Sequence, residues 1–384
     1  MQITTREMLA RLVAFRTVSR DSNLDCIAFI RDYLAAFGAT ATIIPNADGT
    51  KANLYATIGP MVPGGIVLSG HTDVVPVDAQ AWTTDPWTLT ERDGKLYGRG
   101  TCDMKGFVAI ALTVAASAAR MKLARPVHLA LSYDEELGCA GAPSMVEAMA
   151  ASLPLPEAVI VGEPSELRVV SGHKSSLSFF TRVTGHTVHS SEVHRGVSAV
   201  MVAARLVTWF DDTMARNRAA ADPASPFDPP FTTLHCGQIQ GGTAANVVAS
   251  KCEFVTDIRA APPDDAWMYK RRYEAYVREQ VEPAMQAIAA DSSVSIVHRG
   301  FVPPLRPIHD SPAERLVRSI TGDNGTHVVS YGTEAGIFQN AGWATVVCGP
   351  GSIAQAHQAD EFIAISQLEA GETLVRQIID TLQT

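Results

Sequence analysis

At 384 residues the chain exceeds what one hydrophobic core normally organises, which predicts two domains. Apolar residues make up 46% and charged residues 18%, a globular composition that excludes a disordered or fibrous chain. The formal net charge of −9 argues against a nucleic-acid partner, which would need a basic stripe.

The first twenty residues alternate charged and apolar groups, without the continuous apolar stretch of a secretory signal. Residues 107–119 are apolar but too few to cross a bilayer, so they predict a buried helix and no membrane partner. Cys26, Cys102, Cys139, Cys236, Cys252 and Cys348 stand singly, which predicts reduced thiols and a cytoplasmic location.

In chain order, helical spacing predicts helices over 5–15 and 25–37. Short apolar runs at 65–69, 126–132 and 158–161 predict buried strands, with a buried helix over 106–119 between the first two. The texture changes after Gly172. A strand over 175–183, a helix over 196–210, strands over 231–239 and 250–259, a long helix over 267–288 and a strand over 293–298 make a βαββαβ order. The proline-rich segment 219–230 reads as a loop within it, and from Leu305 onward helix and strand alternate again to a final helix over 365–382. The expected architecture is an α/β domain of residues 1–173 and 301–384, interrupted by an inserted α+β domain of residues 174–300.

Five stretches follow or flank predicted strands and carry metal-capable side chains. They are Ser69-Gly-His71-Thr-Asp73-Val-Val-Pro76, Tyr97-Gly-Arg-Gly-Thr-Cys-Asp103-Met-Lys-Gly106, Ser132-Tyr-Asp-Glu135-Glu136-Leu-Gly138, Val159-Ile-Val-Gly-Glu163-Pro164 and Cys348-Gly-Pro-Gly-Ser-Ile-Ala-Gln-Ala-His357-Gln-Ala-Asp-Glu361. Each alone has a plain reading as a turn, a cap or loop polarity. Together they supply imidazoles and carboxylates suited to two borderline divalent ions, zinc rather than magnesium. A carboxylate bridging ions about 3.5–4 Å apart is the usual two-metal design.

These motifs, in this order over essentially the whole chain, resemble the dinuclear metallohydrolase family of aminoacylases, glutamate carboxypeptidase, succinyl-diaminopimelate desuccinylase and acetylornithine deacetylase. Gly162-Glu163-Pro164, Tyr331-Gly-Thr-Glu334-Ala-Gly336 and Gly349 to Gln358 are similar to the deacetylase branch. The resemblance implies a mixed-sheet, zinc-peptidase-like catalytic domain, with the inserted unit serving as lid and dimerisation domain. It implies His71, Asp103 and Glu163 on one ion, and Asp103, Glu136 and His357 on the other. Asp73 would orient His71, Glu135 would be the general base, and the 103–104 peptide would be cis.

The box Gly185-His-Thr-Val-His189-Ser-Ser implies an oxyanion-stabilising His189 lent to the partner of a homodimer, with His186 and His194 as nearby competitors. Ser198 departs from the asparagine common in relatives. Asn246 and Arg259 resemble substrate-gripping positions, and Glu334 would receive a cationic side chain or else cap a helix. Arg259 has a plainer reading as the ion-pair partner of Asp257. Lys174 has no assigned role.

The expected reaction is zinc- or cobalt-dependent hydrolysis of an N-acyl amino acid, first N2-acetyl-L-ornithine in arginine biosynthesis. The alternatives are acetylcitrulline, succinyl-diaminopimelate, general N-acyl amino acids or a dipeptide. A non-catalytic metal-binding relative is a remote reading, and a thiol hydrolase using Cys102 or Cys139 lacks a base with an orienting partner.

Overall fold

The computed structural model describes residues 3–384. These residues form two compact units. One takes the chain up to Gly172 together with Leu305–Val328 and Thr333–Thr384; the other takes His173–Pro304 and Val329–Gly332. The four-residue return at 329–332 is too short to leave a periodic signal.

The larger unit is built on a mixed eight-stranded sheet. Its order is Thr40–Pro45, Ala52–Ile58, Val127–Ser132, Ile66–His71, Ala158–Pro164, Thr345–Gly349, Val170–His173 and His327–Val329. The four central strands run parallel, so their carboxyl ends emerge at one edge, where α/β sheets place their sites. They are mostly apolar and buried along their whole length, which is why the sequence shows them as near-continuous runs.

Helices Leu24–Ala35, Lys105–Ala118, Pro312–Thr321 and Ile365–Asp380 cover one face, and Ala142–Ser152 and Ala335–Asn340 the other. Thr5–Ala14 packs on Lys105–Ala118 and begins with a capping box, Thr4 and Glu7 satisfying each other's backbone N–H. Lys105–Ala118 is buried nearly all round because it lies between the sheet and other helices. Its close seating demands a glycine: a Cβ on Gly162 would sit 1.9 Å from the Phe107 ring. A glycine beside Glu163 is therefore what lets this helix lie on the strand that carries the carboxylate.

The smaller unit is a four-stranded antiparallel sheet in the order Thr233–Gly241, Lys251–Ala260, Ser175–Thr184 and Ser293–Val302, with its helices packed into one apolar core. The helix expected to start at 196 runs Ala199–Ala219, capped by the Ser198 hydroxyl, which accepts from Met201 N at 3.3 Å. The departure at Ser198 is thus helix-cap chemistry. The expected long helix over 267–288 is interrupted. Ala266–Tyr276 passes through a π-turn at Val277–Val281 before Glu282–Gln286. Pro283 lacks an N–H and its ring crowds the carbonyl four residues back, so the wider turn relieves it. Lys174 is fully buried and donates to the carbonyls of Pro229 and Phe231 at 2.7 and 2.9 Å, clasping the proline-rich loop.

Candidate metal centre and active site

Strand register brings the first candidate ligands level with one another. His71 pairs beside Ser132, and Ser69 beside Val161, so His71, the loop after Ser132 and Glu163 emerge together. Asp103 arrives differently. It follows the short strand Lys95–Tyr97 of a separate three-stranded sheet and stands just before the Lys105–Ala118 helix, with the Asp103–Met104 peptide cis as expected. The helix is capped by Met104, so the plain reading of Asp103 as a cap does not hold. His357 follows the Thr345–Gly349 strand by eight residues and adopts φ +62.

The five expected ligands converge. Asp103 turns Oδ1 to His71 Nε2 at 3.0 Å and Oδ2 to His357 Nε2 at 3.2 Å. His357 Nε2 is also 3.0 Å from Glu136 Oε2, and Glu163 Oε1 lies 3.8 Å from His71 Nε2. A carboxylate with one oxygen toward each histidine has the geometry of a bridging ligand.

The donors fit divalent cations. Two overlapping triads, His71–Glu135–Glu163 and His71–Asp103–Glu136, have ligand atoms within 4.8 Å of one another. Glu163 Oε1 is buried without a hydrogen-bond partner, which is costly unless a cation supplies one. Burial pushes the Glu135 carboxyl up to about 8; the charge of His71 opposes this, and those of Glu136 and Asp103 add to it. Burial likewise drives Glu163 well above the ordinary carboxylate range, reinforced by Asp103 and Glu135. So many carboxylates in one dry place are tolerable only with positive charge among them.

Asp73 orients His71 through its carbonyl, 2.9 Å from Nδ1, while its carboxylate stands 3.5 Å away. That carboxylate accepts from Ser19 Oγ at 2.7 Å and from the N–H groups of Glu135 and Glu136 at 3.1 and 3.3 Å. One residue therefore sets both His71 and the loop carrying Glu135 and Glu136. Cys139 Sγ lies 3.1 Å from Glu135 Oε1, which leaves Oε2 as the oxygen open to a proton. Thiol hydrolysis is not what Cys139 is placed for: burial holds its proton on, and the charge of Glu135 reinforces this.

Glu334 does not form an open wall that could receive a substrate side chain. It is 0% exposed, and its two oxygens accept from Ser69 Oγ at 2.6 Å and Ser132 Oγ at 2.8 Å. Nor does its side chain cap the helix Ala335–Asn340. It braces the two strands that end in His71 and Ser132. Glu334→Ala is expected to cost about 1–3 kcal/mol through the two stranded hydroxyls, read as a lower urea midpoint. KM should then move equally for cationic and neutral substrates; a rise confined to cationic substrates would return Glu334 to the receiving role.

In the smaller unit, His189 and Asn246 are exposed neighbours: Ser190 N donates to the Asn246 carbonyl at 3.0 Å. His186 and His194, the competitors for the oxyanion role, occupy the same loop region. Arg259 pairs with Asp257 through Nε at 2.8 Å.

Sequence reasoning passed over Ser19, Glu361, Arg99 and Gln80 as site residues, and weighed Cys139 only as a thiol nucleophile. Glu361 closes the stretch that carries His357 and Arg99 stands four residues before Asp103, so proximity in the motif was the available signal.

A model of peptidase family M20/M25/M40 matches residues 67–381. The chain is 36% identical over 366 residues to acetylornithine deacetylase from Shigella sonnei (strain Ss046), spanning 93% of this chain and 91% of that protein. The fold is similar to an M20 family metallo-carboxypeptidase from Sulfolobus solfataricus, with TM-score 0.76 at 16% identity over 98% of both chains. It is also similar to a dinuclear metal-binding peptidase from Bacillus subtilis, with TM-score 0.64 at 14% identity over 98% of this chain and 97% of that one. At those identities the overlays speak for the fold alone. Among the described residues no helix is long and apolar enough to cross a membrane. With a family match over most of its length and a cation-binding cluster at the sheet edge, this metallohydrolase of amino-acid amides or peptides belongs to peptidase family M20/M25/M40.

Proposed function

We propose that the protein hydrolyses the amide bond of N-acyl amino acids, with N2-acetyl-L-ornithine as the leading substrate and L-ornithine and acetate as products. The observation that carries this reading is Asp103, with one oxygen toward His71 and the other toward His357. The imidazoles favour zinc, with cobalt the second candidate. His71, Asp103 and Glu163 would hold one ion, and Asp103, Glu136 and His357 the other. When bound, the pair supplies Lewis acidity for the acyl carbonyl and a water acidic enough to deprotonate near neutral pH.

The chain's own groups do the rest. Glu135 takes a proton from the attacking water at Oε2 and delivers it to the amide nitrogen as the carbon–nitrogen bond breaks. Carboxylate and amine leave as products. His189 supplies an oxyanion donor. Its Nδ1 accepts the backbone N–H of Ser191 at 3.2 Å, which leaves Nε2 as the ring nitrogen available to donate. The resemblance implies that this group serves the partner's site, with a homodimer as the working form. Arg259 can still offer its Nη pair to a substrate α-carboxylate, and Asn246 an amide beside His189. Six unpaired cysteines suit a cytoplasmic enzyme.

An assay of N-acetyl-, N-succinyl- and N-formyl-amino acids and dipeptides, with zinc and with cobalt, tests the substrate. A kcat/KM for N2-acetyl-L-ornithine well below that for another acyl amino acid or a dipeptide would move the assignment within the same family. His189→Ala is expected to lower kcat by about 10²–10³-fold, the usual loss for one oxyanion donor. Its melting temperature should stay unchanged, because the ring is exposed. An unchanged kcat would remove His189 from the site.

A further inference from the structure

The Glu361 carboxylate collects four donors while only 1% exposed. Its Oε2 accepts from Arg99 Nη1 at 2.7 Å and Gly100 N at 2.9 Å, and its Oε1 from Cys102 N at 2.9 Å and Asp103 N at 3.0 Å. Arg99, equally buried, also donates through Nη2 to Gln80 Oε1, and its guanidinium lies 5.1 Å from the Trp82 ring. Gln80 then donates through Nε2 to the carbonyl of His357 at 2.9 Å. The same two loops are stitched once more where Asp360 accepts from Thr83 N and Thr83 Oγ1 at 2.8 and 2.9 Å. The path from Asp103 to His357 therefore runs Asp103 N–H, Glu361, Arg99, Gln80, His357 carbonyl, with a hydrogen bond at each step.

We propose that the buried Arg99–Glu361 pair, extended by Gln80, is a positioning device that sets the spacing of Asp103 and His357 and thereby the affinity of the ion those two residues share. The proposal rests on the dinuclear reading above. A buried ion pair is a poor source of stability, because desolvation offsets most of its attraction. What it provides here is direction. Three backbone N–H groups of the 100–103 turn, those of Gly100, Cys102 and Asp103, are aimed at the two Glu361 oxygens, so the Asp103 backbone is held toward the neighbouring carboxylates. Ligand groups need placement within about 0.5 Å, and partners behind the ligands supply it. His357 needs such help most: its side chain is 51% exposed and its backbone is left-handed.

The test is calorimetric titration of zinc chloride into the metal-free full chain, resolving two dissociation constants, with melting temperatures measured alongside. Glu361→Gln replaces an accepting oxygen by a donating NH₂, so one side of the cradle is left donor against donor. Because Asp103 serves both ions, both affinities are expected to weaken by about 10–100-fold. Gln80→Ala removes the hold on His357, together with the acceptor of Arg99 Nη2 and Trp82 Nε1, but leaves Glu361 on the Asp103 turn, so one affinity should weaken by a similar factor. The other should stay at the wild-type value. Gln80 is only partly buried, so this variant keeps the test open where Glu361→Gln fails to fold. Wild-type affinities in Gln80→Ala, with or without a lowered melting temperature, would reduce the network to structural bracing and overturn the proposal. A wild-type chain that takes up fewer than two zinc ions would sink the dinuclear reading itself, and that outcome is visible before any variant is made.

Discussion

Glu135→Ala is expected to bind two ions as the unaltered chain does and to lose about 10²–10⁴-fold in kcat, the range for a removed general base. The argument starts from the division of labour between adjacent carboxylates. Glu136 is committed to His357, 3.0 Å away, while Glu135 has one oxygen on Cys139 and the other free. Asp73 holds the backbone N–H of both, so removing the Glu135 side chain leaves the loop that presents Glu136 in place. Burial raises the Glu135 carboxyl, and cations bound among these carboxylates would bring it back toward the neutral range where a base works best. The geometry also offers a competing role, because Glu135 forms a ligand-capable triad with His71 and Glu163. Metal analysis on the purified variant, run with its kinetics, separates the two. Loss of one ion along with turnover would make Glu135 a ligand, and turnover near wild type would remove it from the chemistry altogether.

The candidate ligands were legible in the sequence because each is tied to a short, locally encoded event. His71, the Glu135–Glu136 loop and Glu163 follow apolar strands that parallel burial makes continuous, and strands sharing one direction must release their ends at one edge. Asp103 was found by motif and misjudged by local rules, since the sequence alone reads it as a helix cap. What was not legible is the set of groups that hold the ligands. Glu334 carries the chemistry of a cation receiver in its sequence context, yet it is turned inward because Ser69 and Ser132, more than 200 residues earlier, place hydroxyls beneath it. Glu361 reads as a loop carboxylate until the turn at 100–103 folds onto it across 258 residues. Such long-range polar contacts leave no periodicity behind. In the smaller unit the βαββαβ order was plain, but the π-turn at Val277–Val281 answers to one proline, a detail that apolar spacing averages away.

Asp103→Ala is expected to abolish tight binding of both ions, and with it measurable turnover, while the metal-free protein keeps its fold. The backbone at Asp103 is held by Glu361 through its N–H and not by its own carboxylate, so truncation leaves the turn anchored. Hydrogen bonds from His357 and His71 hold the Asp103 carboxyl below the usual range against the cost of burial, so it is charged and repels Glu135, Glu136 and Glu163. Deleting it relieves that repulsion but also takes away the acceptor of His71 and His357, so the metal-free variant is expected to melt somewhat below the unaltered chain while remaining folded. The difference appears when zinc is added. Ligands that bind only the folded state stabilise it by RT ln(1 + [L]/Kd), which comes to about 2.7 kcal/mol at a hundredfold excess over Kd. The unaltered chain should show that rise and Asp103→Ala should show almost none. A His357→Ala variant is the control, since it removes a ligand from one ion only and should keep part of the zinc-dependent rise. If Asp103→Ala retained one ion at full affinity, the carboxylate would belong to a single ion, and the two-metal bridge on which the proposed hydrolysis depends would be gone.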